Sequence, residues 1–411
     1  MTQPHPRPQR SLLREAGLSY FVIAFIARLP FAMMVVGVLT VVVSARQSLS
    51  LGGLTSAAVG LGTACFGPLL GAAADRIGQR PVLVILAIVN SAMLVVFAVV
   101  VYSTAADAAV LVAAVGIGAS APQVAPMSRS RLVTIIDERM PESRRSRILS
   151  GTMSYESAAD ETVFVFGPFL VGVIGSWIAP WAPLVGAAAL TLVFVGAFAL
   201  HPSGRHVSRV RGADGRAPSR ASELFRPDLL IVVMGILGVG LFFGTMLTSL
   251  TAFMDERGAP EEAGLLYGVM GVGSAVLALG VAWLPPRFSM RARWLVFAGI
   301  LLAASLMLPF VESPWGMMAV LAVLGIGIGP TLVTQYSFGA ARSPLGRSAT
   351  VMTMLGSSVI VGQSIGSAVA GEIAQRGGTA SALMLPIAAA GVVVVAGVLN
   401  WPASRTRRHS R

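Results

Sequence analysis

Four ionisable residues stand where the chain is otherwise apolar: Arg28, Glu156, Asp160 and Glu161. A charge inside hydrocarbon costs several kcal/mol unless it is paired or wetted, so such a residue marks a site by default. Arg28 falls about 16 Å into its apolar stretch at 1.5 Å per residue, and Pro30 beside it predicts a kink. Glu156 and Asp160 are spaced i, i+4 and share a helix face. Glu161 is turned by about 100° from Asp160, so one acid can face the arginine stretch while another faces a cavity. Three carboxylates against one arginine cannot all stay ionised cheaply in a low dielectric, and that predicts a carboxyl able to carry a proton. Two other placements stay open: a purely structural ion pair, and a solvated edge if the acid-bearing helix begins at Thr162.

The elements that must hold these groups follow from composition. Of 411 residues, 55% are apolar and 12% charged, about half the charged fraction usual for a soluble domain; mean hydropathy is +0.78. Apolar stretches long enough to cross a membrane are expected at 17–44, 51–73, 82–103, 106–128, 149–175, 178–200, 229–253, 263–284, 294–311, 316–339, 349–374 and 381–401. The polar run 202–228 separates two groups of six. This gives an all-α membrane protein of twelve helices in two pseudo-symmetric six-helix bundles. The expected units are a first bundle at 1–201, a linker loop at 202–228, a second bundle at 229–402 and a basic tail at 403–411. The basic residues are 30 arginines and no lysine. On this map 26 arginines lie in the two tails and alternate loops, with Arg46, Arg257 and Arg376 opposite and Arg28 inside a span. Such a split is an orientation signal rather than a nucleic-acid patch, and it puts both termini in the cytoplasm of a bacterial cell membrane. The first span has no A-x-A cleavage site and is expected to be retained. The single Cys65 allows no disulfide framework, and no Cys pair, His cluster or H-E-x-x-H suggests a metal. There is no phosphate-binding G-x-x-x-x-G-K-[ST], and GVMGVGSA (268–275) lies inside a span, where a dinucleotide fingerprint has no context.

The most specific motif lies between spans two and three: Gly71, Asp75, Arg76, Gly78 and Arg80, with Gln79 where a base is common. It resembles the loop signature G-x-x-x-D-R-x-G-R-R/K of the major facilitator superfamily, and with the span count the resemblance covers essentially the whole chain. Gly78 suits a tight turn. Asp75 can bond Arg76, Arg80 or a helix N-terminus. The resemblance implies a latch between the two bundles, with the start of span eleven near 347–350 as partner. The second-bundle counterpart, PPRFSMRARW (285–294), lacks the acid. Repetition between halves shows in Arg147 and Ser157 against Arg347 and Ser357. It shows again in VGIGASAP (115–122) against LGIGIGP (324–330).

The family pattern implies that spans one, four, seven and ten line a central cavity. That points to Tyr20 and Arg28, Gln123, Thr245, Thr248 and Ser249, Gln335 and Tyr336 as cavity candidates, with Gln363 in span eleven beside them; each could equally be glue between helices. Gly167, Pro168 and Gly172 resemble part of the bend signature of proton-driven exporters. The arginine such exporters carry in span four is absent from 106–128, and Arg28 is a candidate to replace it. Within the superfamily the chain looks most like actinobacterial drug and metabolite exporters. The expected activity is proton-coupled efflux of small amphiphilic molecules by alternating access, without enzyme chemistry or a cofactor, energised by a proton gradient. The expected partners are a small-molecule substrate and the bilayer, with the protein a monomer. Metabolite uptake or facilitation by the same fold, and a membrane receptor or scaffold that does not transport, remain as alternatives. A membrane transferase lacks any catalytic constellation.

Overall fold

The computed structural model describes residues 12–204, 219–258, 263–285 and 287–403. Among them are twelve helices long and apolar enough to cross a membrane, and no strand. They run Leu18–Arg46, Leu51–Ile77, Gln79–Tyr102, Asp107–Arg139, Glu142–Gly175 and Ala182–Leu200 in the first half. The second half has Pro227–Asp255, Leu266–Trp283, Met290–Phe310, Pro314–Arg342, Ser348–Ala382 and Leu385–Pro402. These are spans one to twelve below.

Two spans are broken where the chain cannot donate. Span one is helical over Leu18–Ile26 and again over Leu29–Arg46, with Ala27 and Arg28 in the turn between. Pro30 has no N–H to continue the first segment's ladder. Span four is helical over Asp107–Ala119 and Val124–Arg139, interrupted at Ser120–Gln123 around Pro122. Its second segment extends eleven residues beyond the hydropathy boundary at 128. Arg129 and Arg131, read from sequence as loop residues, therefore lie in the helix and are buried. Hydropathy measures fitness for lipid, but this segment is wrapped by protein. Its apolar side chains Leu132, Val133, Ile135 and Ile136 are all buried. Span five likewise starts earlier than expected, its helix running over Glu142–Trp177, so the acids do not lie before its first turn.

Several contacts recur at equivalent places in the two halves. At the end of span one, Arg46 donates to the Val100, Val101, Ser103 and Ala105 carbonyls and closes the end of span three. At the end of span seven, Arg257 donates to the Phe253 and Glu312 carbonyls. Arg131 in span four lies over the Phe198 ring of span six at 4.1 Å and donates to the Phe198 carbonyl. Arg342 in span ten lies over Phe338 at 4.6 Å and donates to Asn400 of span twelve. A methyl added to Gly118 or to Gly329 would meet a carbonyl oxygen at 2.0 Å, that of Val59 in span two or Ser274 in span eight. Each pair is 211 residues apart, so within the shared Gly-Ile-Gly stretches Gly118 answers to Gly329. For spans five and eleven, Gly167 packs on Ala32 and Met33 as Gly366 packs on Leu241 and Thr245, an offset of 199.

The halves meet at the arginine-rich end. Their cores interlock there: Val133 and Met153 belong to the second half's core, and Ala349 to the first half's.

Candidate functional site

The broken turn of span one points Arg28 at span five. Its Nη2 pairs with Glu156 Oε2, and its Nη1 lies 3.4 Å from Asp160 Oδ1. The extended second segment of span four supplies the other side: Arg129 Nη2 is 2.5 Å from Asp160 Oδ2. Ser128 Oγ donates to Glu156 Oε1 at 2.9 Å. The Tyr20 hydroxyl is 2.7 Å from Ser128 Oγ; since Ser128 gives its proton to Glu156, Tyr20 is the donor. Two guanidinium groups and two carboxylates thus form a quartet whose charges balance. Arg129 thus joins Arg28 as a second base beside these acids, where the sequence reading counted one. Arg28, Arg129, Glu156 and Ser128 are buried; the Asp160 side chain is 22% exposed, the most exposed of the quartet. One turn along the helix on the same side stands Phe164, half exposed, its ring edge-on to Phe31 of span one at 6.4 Å.

Arg129 also reaches the other half. Its guanidinium carbon lies 3.9 Å from the centroid of the Tyr336 ring in span ten. On the span two and eleven flank, Asp75 accepts from the N–H groups of Ala349 and Thr350 at 3.0 and 2.8 Å and from Thr350 Oγ1 at 2.6 Å. A carboxylate thus caps the start of span eleven. Arg76 and Arg80 are exposed, and of the partners open to Asp75 the structure selects the helix terminus. Gly78 adopts φ +93°, and a methyl on Gly71 would sit 2.1 Å from Thr353 Oγ1. On the span five and eight flank, Gly151 faces Ala282.

The remaining candidates divide. Gln123 is buried at the break of span four and donates to the Ala121 carbonyl, beside Gly67. Thr245 bonds back to Leu241 and Phe242 of its own helix. Ser249 donates to the Ala382 carbonyl of span eleven at 2.8 Å. Thr248 faces Gly371, and Gln363 offers its carbonyl to the close approach of Gly244. Gln335 is fully buried against Gly235 of span seven, with neither amide atom hydrogen-bonded among the described residues. Gly172 has open space around it. The side chains of Glu161 and Pro168 lie outside the described residues. Arg129, Arg131, Phe31 and Phe164 were missed from sequence. The signal for the two arginines was the apolar run 132–136, which needs a helix continuing through them. No cluster of metal-ligating side chains occurs among the described residues. His201, just past span six, hydrogen-bonds Ser203, and burial, with Arg131 second, holds its imidazole below the usual histidine range.

The Major Facilitator Superfamily description matches residues 18–366. Among solved structures, the human organic anion transporter MFSD10 (TETRAN) aligns with a TM-score of 0.72 at 18% identity, covering 95% of this chain and 100% of that one. A bacterial homologue of the iron transporter ferroportin, outward-facing, aligns at 0.75 and 16% identity, covering 96% and 100%. FucP in the outward conformation aligns at 0.64 and 15%, covering 93% and 99%. These likenesses show the fold. No curated protein sequence matches this chain.

Proposed function

Since the chain belongs to the major facilitator superfamily, a family of membrane transporters and not enzymes, we propose that this transporter is a proton-coupled exporter of small amphiphilic molecules. The observation that carries the reading is the quartet. Asp160 alone in it is partly exposed, held between Arg28 and Arg129, so a proton arriving at Asp160 breaks a balanced buried cluster and changes the energy of the whole site. Phe31 and Phe164 beside it offer an aromatic wall for the apolar part of a substrate. Polar cavity candidates that bond their own helices, such as Thr245, leave few fixed partners of the kind a sugar needs. The two bundles at 1–201 and 229–402, joined by 202–228 and followed by the tail 403–411, move against each other in a cell membrane. The arginine-rich end faces the cytoplasm with both termini, and a monomer suffices. With that end closed, Asp160 loads its proton from outside and releases it inside, in exchange for substrate. The efflux subtype resembles actinobacterial drug and metabolite exporters.

Proton flux in energised inside-out vesicles tests this. Compounds from an amphiphilic panel should collapse the pH gradient with wild-type protein, and Asp160→Asn should abolish the response while leaving expression unchanged. No response to a broad panel from well-expressed protein sinks the export reading and turns attention to counterflow uptake of metabolites.

A further inference from the structure

Alternating access requires the arginine-rich ends of the halves to part, and three of the contacts described above lie across that seam. Two are on the flanks: Asp75 on the start of span eleven, and Gly151 against Ala282. The third is central, Arg129 of span four on the face of Tyr336 of span ten. It is the one that involves a member of the charge quartet.

We infer that Tyr336 is the positioning residue through which the charge state of Asp160 opens and closes the seam between the halves. This rests on reading Asp160 as the group that takes the proton. The groups facing Asp160 are Arg28 from span one, Arg129 from span four, and Glu156 and Tyr155 from its own helix. Tyr336 faces Arg129 from across the seam.

In the closed arrangement Arg129 is buried and has two direct contacts that offset its charge, the Asp160 carboxylate and the Tyr336 ring, with Glu156 of the quartet acting from further off. Protonation removes the first. An aromatic face attracts a desolvated guanidinium but does not offset its burial as an ion pair does. The remaining relief is water, which reaches Arg129 only if span ten draws away from span four. Protonated Asp160 therefore favours the open seam, and charged Asp160 the closed one. A proton taken from the far side is thereby delivered to the arginine-rich side, the direction a proton-driven exporter needs. The ring lies against the guanidinium, so phenylalanine, which keeps the ring, isolates that contact.

The test is a distance across the seam. Cys65 is exposed and would be replaced by serine. Spin labels would be placed at Glu138 and Leu345, both exposed, beyond the ends of the contact. At neutral pH the Asp160→Asn protein should populate a longer distance, a shift of roughly a hundredfold in the open-to-closed ratio. Adding Arg129→Gln should restore the short distance, since no buried charge is left to hydrate. Tyr336→Leu should open the seam by roughly tenfold, and Tyr336→Phe should stay closer to wild type than Tyr336→Leu. The inference is overturned if Asp160→Asn keeps the wild-type distance, if Arg129→Gln fails to reverse it, or if Tyr336→Phe is as open as Tyr336→Leu. If the distances shift as stated but no compound drives proton flux in vesicles, the export reading falls and the gate stands.

Discussion

The two halves place different matter at the same positions. By the offsets that Arg46 with Arg257 and Gly167 with Gly366 establish, Arg28 answers to Val239, Arg129 to Ala340, Glu156 to Leu355 and Asp160 to Val359. The equivalence holds down to a contact. Ser128 donates to Glu156 in the first half, and in the second Gly339 packs on Leu355. Where the first half holds a buried ion network, the second holds hydrocarbon fitted to bare backbone. Gly240 lies on Val359, Gly244 on Gln363, and Gly362 and Gly366 on Leu237 and Leu241, each closer than a methyl would allow. The lesson is a division of labour. The second half packs glycine backbone against its neighbours, and the first half concentrates the buried charge.

That comparison breaks most sharply at a single member of the quartet. Glu156→Leu installs the second half's residue and leaves Arg28 buried with only the more distant Asp160. Breaking a buried pair in this way costs roughly 3–5 kcal/mol. Converting all four positions at once (Arg28→Val, Arg129→Ala, Glu156→Leu, Asp160→Val) should recover most of that loss, because hydrocarbon of similar placement replaces the whole network. Thermal unfolding followed by fluorescence-detected gel filtration checks both. If the fourfold variant is as unstable as the single one, the halves are not interchangeable scaffolds and the equivalence fails.

The second half has its own breaking point. A methyl on Gly244 would lie 2.0 Å from the Gln363 carbonyl oxygen, so Gly244→Ala must push spans seven and eleven apart. Overpacking of this kind costs about 1–3 kcal/mol, read as a lower unfolding temperature. The residue at the same place in the first half is Met33, a side chain that bends around neighbours. Met33→Ala should then be read as a cavity and not a clash. Between the halves, Asp75→Asn keeps one acceptor but loses the charge at the start of span eleven. It should weaken closure by roughly 1 kcal/mol, seen as faster cysteine labelling at the arginine-rich end with unchanged unfolding temperature.

How much of this was legible in the sequence follows the same division. The twelve spans were legible because lipid-facing stretches must be apolar, and the loop that meets span eleven because Asp75, Gly78 and Arg80 stand at fixed offsets around a turn. The quartet was half legible. Arg28, Glu156 and Asp160 stood out as charges in apolar surroundings, but Arg129 sits in Ser128-Arg129-Ser130-Arg131, a stretch that reads as a loop. It is shielded by neighbouring helices rather than by lipid, and only the three-dimensional neighbours reveal that. The hydroxyls of Thr245 and Ser249 looked like cavity groups for the converse reason. A polar side chain in a span is visible, but its partner, a carbonyl of its own helix or of span eleven, is not.

The smallest effect expected, Gln335→Leu, decides how far the apolar character of the second half extends. Gln335 is the second half's conspicuous polar residue, fully buried against Gly235 and close to Trp294, with neither amide atom bonded among the described residues. A buried amide without partners carries a desolvation penalty of about 1–3 kcal/mol. Replacing it with a side chain of similar volume removes that penalty. Gln335→Leu should therefore leave the unfolding temperature unchanged or raise it by a shift equivalent to about 1 kcal/mol, and compound-driven proton flux should persist. If instead stability is kept and flux for a particular compound is lost, Gln335 is a substrate contact. The second half would then contribute recognition as well as packing, and the division drawn above would apply only to the buried charge.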